Sequence, residues 1–230
     1  MKQLNITGYN LILKDDFLFF IHKESTGLTY KKYNLANDQT EQLEVSSFLQ
    51  EIYGTDHKKL SNQLIKNIVD YSYSVSNQTG YKYFQNFDEG ILYTFDENAN
   101  LKEQSNLSEI YDNGHAIYSI AWDDLGSLWL AFPSGQTISQ FSLDEKKEIF
   151  KLGDYTFDKP TGELAYPEDL SYYDGKIYSA NMGSGKIVTI DVKTKEVQVL
   201  KQDPGKIWEV EINNKYWIYR TEEQIVVETI

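Results

Sequence analysis

Three features of the sequence predict an all-β chain folded as a five-bladed β-propeller. The first is a cadence, repeated about five times, of a polar turn, a short aromatic strand, a Gly- or Ser-containing turn and a further strand. It is clearest in Asp124–Ala131 followed by Gln136–Leu143, and in Tyr173–Ala180 followed by Lys186–Val192. A period of this size built from short strands is the signature of propeller blades. The second is composition: Tyr, Phe and Trp make up 14% of 230 residues, which suits strands carrying large, half-buried side chains on both faces. The third is alternation, visible where Ile117, Ser119 and Ala121 interleave with Tyr118, Ile120 and Trp122.

Second-strand cores recur at Phe17–Ile21, Tyr81–Gln85, Ser127–Ala131, Lys176–Ala180 and Lys215–Tyr219. Their spacing of about 40 to 65 residues brackets the roughly 40 to 50 of a typical blade, and the long interval holds an insertion. Third strands follow at Leu28–Leu35, Ile91–Asp96, Thr137–Leu143, Lys186–Val192 and Gln224–Ile230. The last leaves no room for a fourth strand, so Lys2–Ile6 is expected to complete the last blade and close the ring, hiding edges that would template aggregation. No linker or composition shift divides the chain, which predicts one domain over residues 1–230.

The helical signal lies in the insertion, about residues 46–67, between blades one and two. Ser47-Phe48-Leu49-Gln50 fits a capping box, Gly54 splits the stretch, and Leu60, Leu64, Ile65 and Ile68 recur at helical spacing. The expected place for these helices is the outside or one end of the ring, covering an edge.

With no cysteine, the chain has no disulfides, thiolate nucleophiles or sulfur-ligated metals. No apolar run near the N-terminus is long enough for a signal peptide or membrane span, so the expected location is the cytoplasm. The net charge is −13, and Arg220 is the sole arginine. Such a surface is a poor match for nucleic acid or an anionic membrane, both of which demand a basic footprint. It favours cations or basic partners. His22, His57 and His115 fall in separate segments without a ligand spacing for zinc. Gly183-Ser184-Gly185-Lys186 lacks the first glycine of a phosphate-binding loop and joins two strands, so it reads as a hairpin turn.

In a propeller the innermost strands line a channel, and the loops entering them converge on one face with the loops joining second to third strands. On that face the sequence places Tyr111, Asp112 and His115 entering blade three, and Glu168 and Asp169 entering blade four after the long segment Gly153–Pro167. It also places Trp208 and Glu209 there in blade five, with Asn181 in a second set of loops. Tyr155, Phe157 and Tyr166 in the long segment stand beside carboxylates, a pairing that gives apolar contact and orients a cationic or polyol ligand. The expected function is a monomeric, non-catalytic propeller binding a protein or a small polar or cationic ligand. The alternative is an enzyme of the channel mouth, a metal-dependent hydrolase or lactonase, in which Glu168, Asp169 and Glu209 act as acid/base groups or bind Ca²⁺. No other cofactor is expected.

Two resemblances bear on this. Ile117–Leu143 and Glu168–Val192 resemble the repeats of NHL-type and streptogramin-lyase-like propellers, where an entry strand, a D-x-x-G turn, an aromatic strand and an I-x-x-[FI]-[DS] strand succeed one another. That lyase has more blades, and its His-centred pattern has no counterpart around His115, so its activity is not carried over. Glu168–Asn181 also resembles the N-E-L-E-x-x-x-G-x-I-Y-A-N stretch of plant-type glutamine cyclotransferases, which are five-bladed and of similar length. That resemblance implies cyclization of N-terminal glutamine, with Glu168 on a family acid and Asn181 on a family Asn. Thr7-Gly8-Tyr9-Asn10-Leu11 stands where that family opens F-T-Q-G-L, and Tyr118-Ser119-Ile120-Ala121 where it has W-G-L-T.

Overall fold

The computed structural model describes residues 2–4, 7–86, 88–107, 115–156 and 163–230. Strand β1 is Lys2–Leu4. Blade one comprises β2 (Tyr9–Lys14), β3 (Phe17–Glu24), β4 (Gly27–Asn34) and β5 (Thr40–Leu43). Helices α1 (Val45–Tyr53) and α2 (His57–Gln63) follow, then a 3₁₀ turn at Ile68–Asp70. Blade two comprises β6 (Ser72–Val75), β7 (Lys82–Asn86), β8 (Ile91–Phe95) and β9 (Leu101–Asn106). Blade three comprises β10 (Ser119–Trp122), β11 (Leu128–Phe132), β12 (Thr137–Ser142) and β13 (Lys147–Leu152). Blade four comprises β14 (Pro167–Tyr173), β15 (Lys176–Asn181), β16 (Lys186–Asp191) and β17 (Val197–Gln202). Blade five comprises β18 (Ile207–Ile212), β19 (Tyr216–Thr221) and β20 (Ile225–Thr229), and β1 supplies its fourth strand.

The ring closes as the sequence predicts. Lys2 lies opposite Val227, Gln3 opposite Val226 and Leu4 opposite Ile225, all antiparallel. Leu4 enters a core with Leu18 and Phe20 of blade one and Ile218 of blade five, so the clasp is apolar as well as hydrogen-bonded.

Second and third strands are buried between neighbouring blades, which explains their near-continuous apolar runs. Blade three shows how a repeat turn is fixed. Asp123, fully buried, accepts the Leu125 and Ser127 amides on one oxygen, both at 2.9 Å. Its other oxygen accepts the Trp129 indole N–H at 2.7 Å and the Gln140 carboxamide at 3.2 Å. Gly126, at φ 82°, turns the chain between them. The charge thus joins a turn, a core aromatic and the third strand in one network.

The Gly183–Lys186 turn joins β15 to β16 as a hairpin connection. A Cβ on Gly185 would sit 2.2 Å from the Gly205 carbonyl oxygen, so close backbone approach accounts for this glycine.

The insertion departs from expectation in two ways. Helix α1 begins at Val45 after Glu44, with no side-chain cap, so Ser47 lies inside the first turn and no capping box forms. The helical spacing from Leu60 does not continue as helix: α2 ends at Gln63, Ile65 is exposed and Ile68 sits in the 3₁₀ turn. Gly54 does terminate α1, at φ 82°. The helices also fill the gap between blades one and two instead of lying on the outside. Phe48 packs against Phe19 and Tyr30 of blade one, with ring centroids 5.9 and 5.0 Å apart. Tyr53 meets Tyr73 and Phe84 of blade two at 5.0 and 5.7 Å. A face with this many aromatics is better buried by two blades than by one.

Asp123→Ala leaves three donors, the Ser127 amide, the Trp129 indole and the Gln140 carboxamide, unpaired in the interior of blade three. It is expected to lower the unfolding free energy by about 3 kcal/mol or more, read as a fall in urea midpoint at unchanged slope.

Candidate functional site

The channel-side edge of each inner strand presents backbone groups with no further strand to pair. Side chains of neighbouring blades meet them in a closed circle. Asn10 of blade one donates its carboxamide to the Val69 carbonyl, which leads into blade two, at 2.6 Å. Ser72 and Ser74 of blade two accept the Ile120 and Trp122 amides of blade three at 2.9 and 2.8 Å. Ser119 of blade three accepts the Leu170 amide of blade four at 3.1 Å and donates to Asp169 at 2.8 Å. Asp169 accepts the Val210 amide of blade five at 3.0 Å. Glu209 completes the circle by accepting the Asn10 and Leu11 amides of blade one at 3.1 and 3.0 Å. Two residues further along β18, Glu211 is held by the Leu13 amide.

Inside this circle lies a cavity of about 700 Å³. Tyr9, Tyr71, Tyr73, Trp122 and Trp208 give it aromatic walls. Glu168, Asp169, Glu209, Glu211 and Arg220 bring charge to it from blades four and five. Arg220 pairs with Glu209 at 3.2 Å, and its guanidinium carbon lies 5.7 Å from the centre of the Trp208 ring.

The carboxylates differ in what they are attached to. Burial pushes Asp169 up to about 7, with the Glu209 charge adding to it and its hydrogen bonds opposing. Burial also drives Glu211 well above the ordinary carboxylate range, reinforced by Asp169 and Glu209. Glu168 is pushed up to about 7 by burial first and by Asp169 second, while Arg220 works against both. Asp169, Glu209 and Glu211 spend their oxygens on backbone amides. Glu168 is half-buried, faces the cavity and has no hydrogen-bond partner among the described residues.

Of the residues singled out from sequence, Glu168, Asp169, Trp208 and Glu209 meet at the cavity. Asn181 does not: it is fully buried, its carboxamide donating to Ser179 and accepting the Ala165 amide at 3.3 Å, so it pins the entry to blade four. His115 and Tyr155 stack on each other with centroids 6.1 Å apart, outside the cavity lining. The Tyr155 hydroxyl donates to Glu148 at 2.8 Å, a contact on the rim of blade three. Tyr166, half-buried, takes its amide to the Gln136 carboxamide oxygen at 2.8 Å and also lies outside the lining. Tyr111 and Phe157 lie outside the described residues. Among the described residues no group of three or more His, Asp or Glu side chains is arranged to hold a metal ion.

Sequence reasoning passed over Glu211, Arg220, Asn10 and the serines of the circle. A signal was present in the period of two: Ser72 with Ser74, and Glu209 with Glu211, are short polar pairs on inner strands that otherwise read apolar.

The architecture defines a five-bladed β-propeller with an acidic, aromatic channel. No protein-family profile matches the chain, and no curated protein matches it in sequence. Its shape is similar to a catalytically inactive virginiamycin B lyase of Staphylococcus aureus solved with quinupristin, at TM-score 0.52 and 11% identity over 97% of this chain. This chain spans 66% of that lyase, just under two thirds of its length. It is similar to Myxococcus xanthus glutaminyl cyclase at TM-score 0.50 and 13% identity, covering 98% of this chain and 92% of the cyclase. A chain of a nidogen/laminin complex aligns at TM-score 0.53 and 9% identity, over 94% of this chain and 72% of that one. At these identities the likeness establishes the fold alone.

Because the pKa of Glu168 is raised from 4.5 to about 7 and that of Asp169 from 3.8 to about 7, the folded state binds their protons more tightly than the unfolded state. Their contribution is complete below about pH 4 and is lost as pH rises through 7. Glu168→Gln is therefore expected to flatten the fall in stability between pH 5 and 8, and to raise the melting midpoint at pH 8 by about 2–4 °C. Glu209→Gln, which puts an NH₂ group against backbone donors, should lower it by a similar amount. Thermal scans of both variants at the two pH values check the opposite signs.

Proposed function

We propose that this propeller binds a small cationic ligand in its channel, with Glu168 as the principal anchor. The observation that carries the reading is a carboxylate, unpartnered among the described residues, standing in an aromatic-walled cavity of about 700 Å³. Aromatic faces attract cations, and the attraction grows when both are withdrawn from water. A carboxylate disfavoured by burial and a neighbouring acid gains most from an arriving positive charge. Binding draws the proton off Glu168, so affinity falls as pH drops through about 7. The fold does not select this function, since the similarly folded structures are a lyase, a cyclase and a chain of a protein complex.

A second reading has one observation in its favour. A carboxyl titrating near 7 is suited to proton transfer at neutral pH, and Glu168 heads the stretch that resembles glutamine cyclotransferases. In that reaction the N-terminal amine attacks the side-chain amide carbon and ammonia leaves. Asn181, which the resemblance pairs with Glu168, is occupied in the interior, and this counts against the cyclase reading.

Thermal scans at pH 8 with butylamine, choline and arginine methyl ester test the binding reading. A cation at about 100 times its dissociation constant adds about 2.7 kcal/mol, a rise of roughly 5–10 °C. The rise should vanish in Glu168→Gln and shrink at pH 5. A series in which no cation moves the midpoint overturns the reading. Ammonia release from a glutaminyl peptide, abolished in Glu168→Gln, would put the cyclase in its place.

A further inference from the structure

We propose that the cation is a quaternary ammonium group, seated where the inner strands enter the ring, against Glu168 and the rings of Tyr118, Trp208 and Tyr9. This rests on the cationic reading of the same cavity and narrows it to a class.

The hydrogen-bonded circle gives the five blades a common frame. The amides of Leu11, Ile120, Leu170 and Val210 are each pinned by a side chain of the neighbouring blade, and each follows the residue that carries the circle on: Asn10, Ser119, Asp169 and Glu209. In blade two that residue is Ser72. The residue just before it is Tyr9, Tyr71, Tyr118, Glu168 and Trp208 in blades one to five, and all five line the cavity. Aromatic residues make up 14% of the chain, so four rings and one carboxylate at equivalent positions do not simply reflect composition. Nor are they all core. Tyr71 is closed, at 6% exposure, and packs on Phe84 and Tyr93. Tyr118 is 45% exposed, and Tyr9, Glu168 and Trp208 are half-buried.

Contacts set Glu168 among the open rings. Its neighbour Asp169 is bonded on one side to Ser119, next to Tyr118, at 2.8 Å, and on the other to the Val210 amide, two residues from Trp208, at 3.0 Å. Arg220, whose guanidinium carbon lies 5.7 Å from the centre of the Trp208 ring, is close enough for its charge to act on Glu168. Tyr9 comes next around the ring, adjoining Asn10, whose amide is held by Glu209. Glu168 and Trp208 stand at shifts in strand register, and the shift in blade one begins at Tyr9. Bulges of this kind re-aim side chains beside functional sites.

The class of cation follows from what this level of the channel offers. A primary ammonium is compact and tightly hydrated and brings three N–H donors, and Glu168 is the one carboxylate at the entry positions to receive them. The serines and acids one residue further on are committed to backbone amides. A quaternary ammonium has no N–H to satisfy. It spreads its charge over methyl groups, which ring faces attract, while a single carboxylate balances the charge.

Isothermal titration calorimetry of the full chain at pH 8 compares butylamine with butyltrimethylammonium, which differ only in methylation of the nitrogen. The methylated cation is expected to bind at least about tenfold more tightly, the combined worth of three partly open rings. Choline should likewise bind at least about tenfold more tightly than dimethylbutanol, the choline skeleton with carbon in place of the charged nitrogen. Tyr118→Leu, at an exposed position, should narrow the preference for the methylated cation by about threefold or more while butylamine still binds, and Glu168→Gln should abolish the binding of both. Butylamine binding as tightly as its methylated form overturns the quaternary inference and leaves the cationic reading standing. A preference that Tyr118→Leu and Trp208→Leu both leave intact overturns the inference too. Should the neutral alcohol match choline, or should no cation bind, both readings fall. The comparisons on the unaltered protein decide the question even where a variant does not fold.

Discussion

The structure depends on how the inner strands deal with their free edges. A four-stranded blade has an innermost strand whose outward backbone groups face the channel, and five blades converge too steeply for those strands to pair as one sheet. The edges of blades one, three, four and five are satisfied instead by a side chain of a neighbour, a serine hydroxyl from blades two and three and a carboxylate from blades four and five. The side chain must be short or anionic to accept an amide at such close quarters, and that requirement stocks the channel with polar groups before any ligand is considered. Asp169 and Glu209 are therefore masonry first. Glu168, one residue before Asp169 at the point where the β14–β15 register shifts, is the carboxylate the circle does not use.

The helical insertion bears on the same problem. Inner strands pass side by side from blade two through blades three, four and five to blade one, but between blades one and two the aromatic faces of α1 and its neighbours intervene. Asn10 bridges that interval by reaching a carbonyl ahead of blade two instead of the strand itself. At this joint Phe48, Tyr53 and Val69 reach the cavity wall.

Much of this was legible in the sequence because it is periodic. Every second and third strand, the closing role of the N-terminal segment and the place of the insertion follow from recurring aromatic cores and turn residues. The site was legible only where it shares that periodicity: Glu168, Asp169, Trp208 and Glu209 stand at strand entries, and entries can be counted. Asn181 sits at an equally countable position, yet its side chain turns inward, since a buried amide that ties down the next blade looks the same in sequence as one offered to solvent. Arg220 lies on a second strand, whose side chains belong to the core by default, and nothing local marks it as an exception. The absent capping box has a similar origin, because the burial of Phe48 and Leu49 fixes the phase of α1 regardless of where a serine would have capped it.

The clasp between β1 and β20 has a consequence for how the molecule comes into being. The two strands stand at opposite ends of the sequence, so the pairing is the longest-range contact in the chain and the most expensive in loop entropy. On the ribosome the early strand waits for its partner through the making of nearly the whole ring, for roughly ten seconds or more at the usual pace of synthesis. Until then Leu4 and the open flank of blade one have no cover, and a nascent chain in a crowded polysome offers the same flank to its neighbours. The seam that seals the finished ring is thus the point at which unfinished copies would exchange strands with one another.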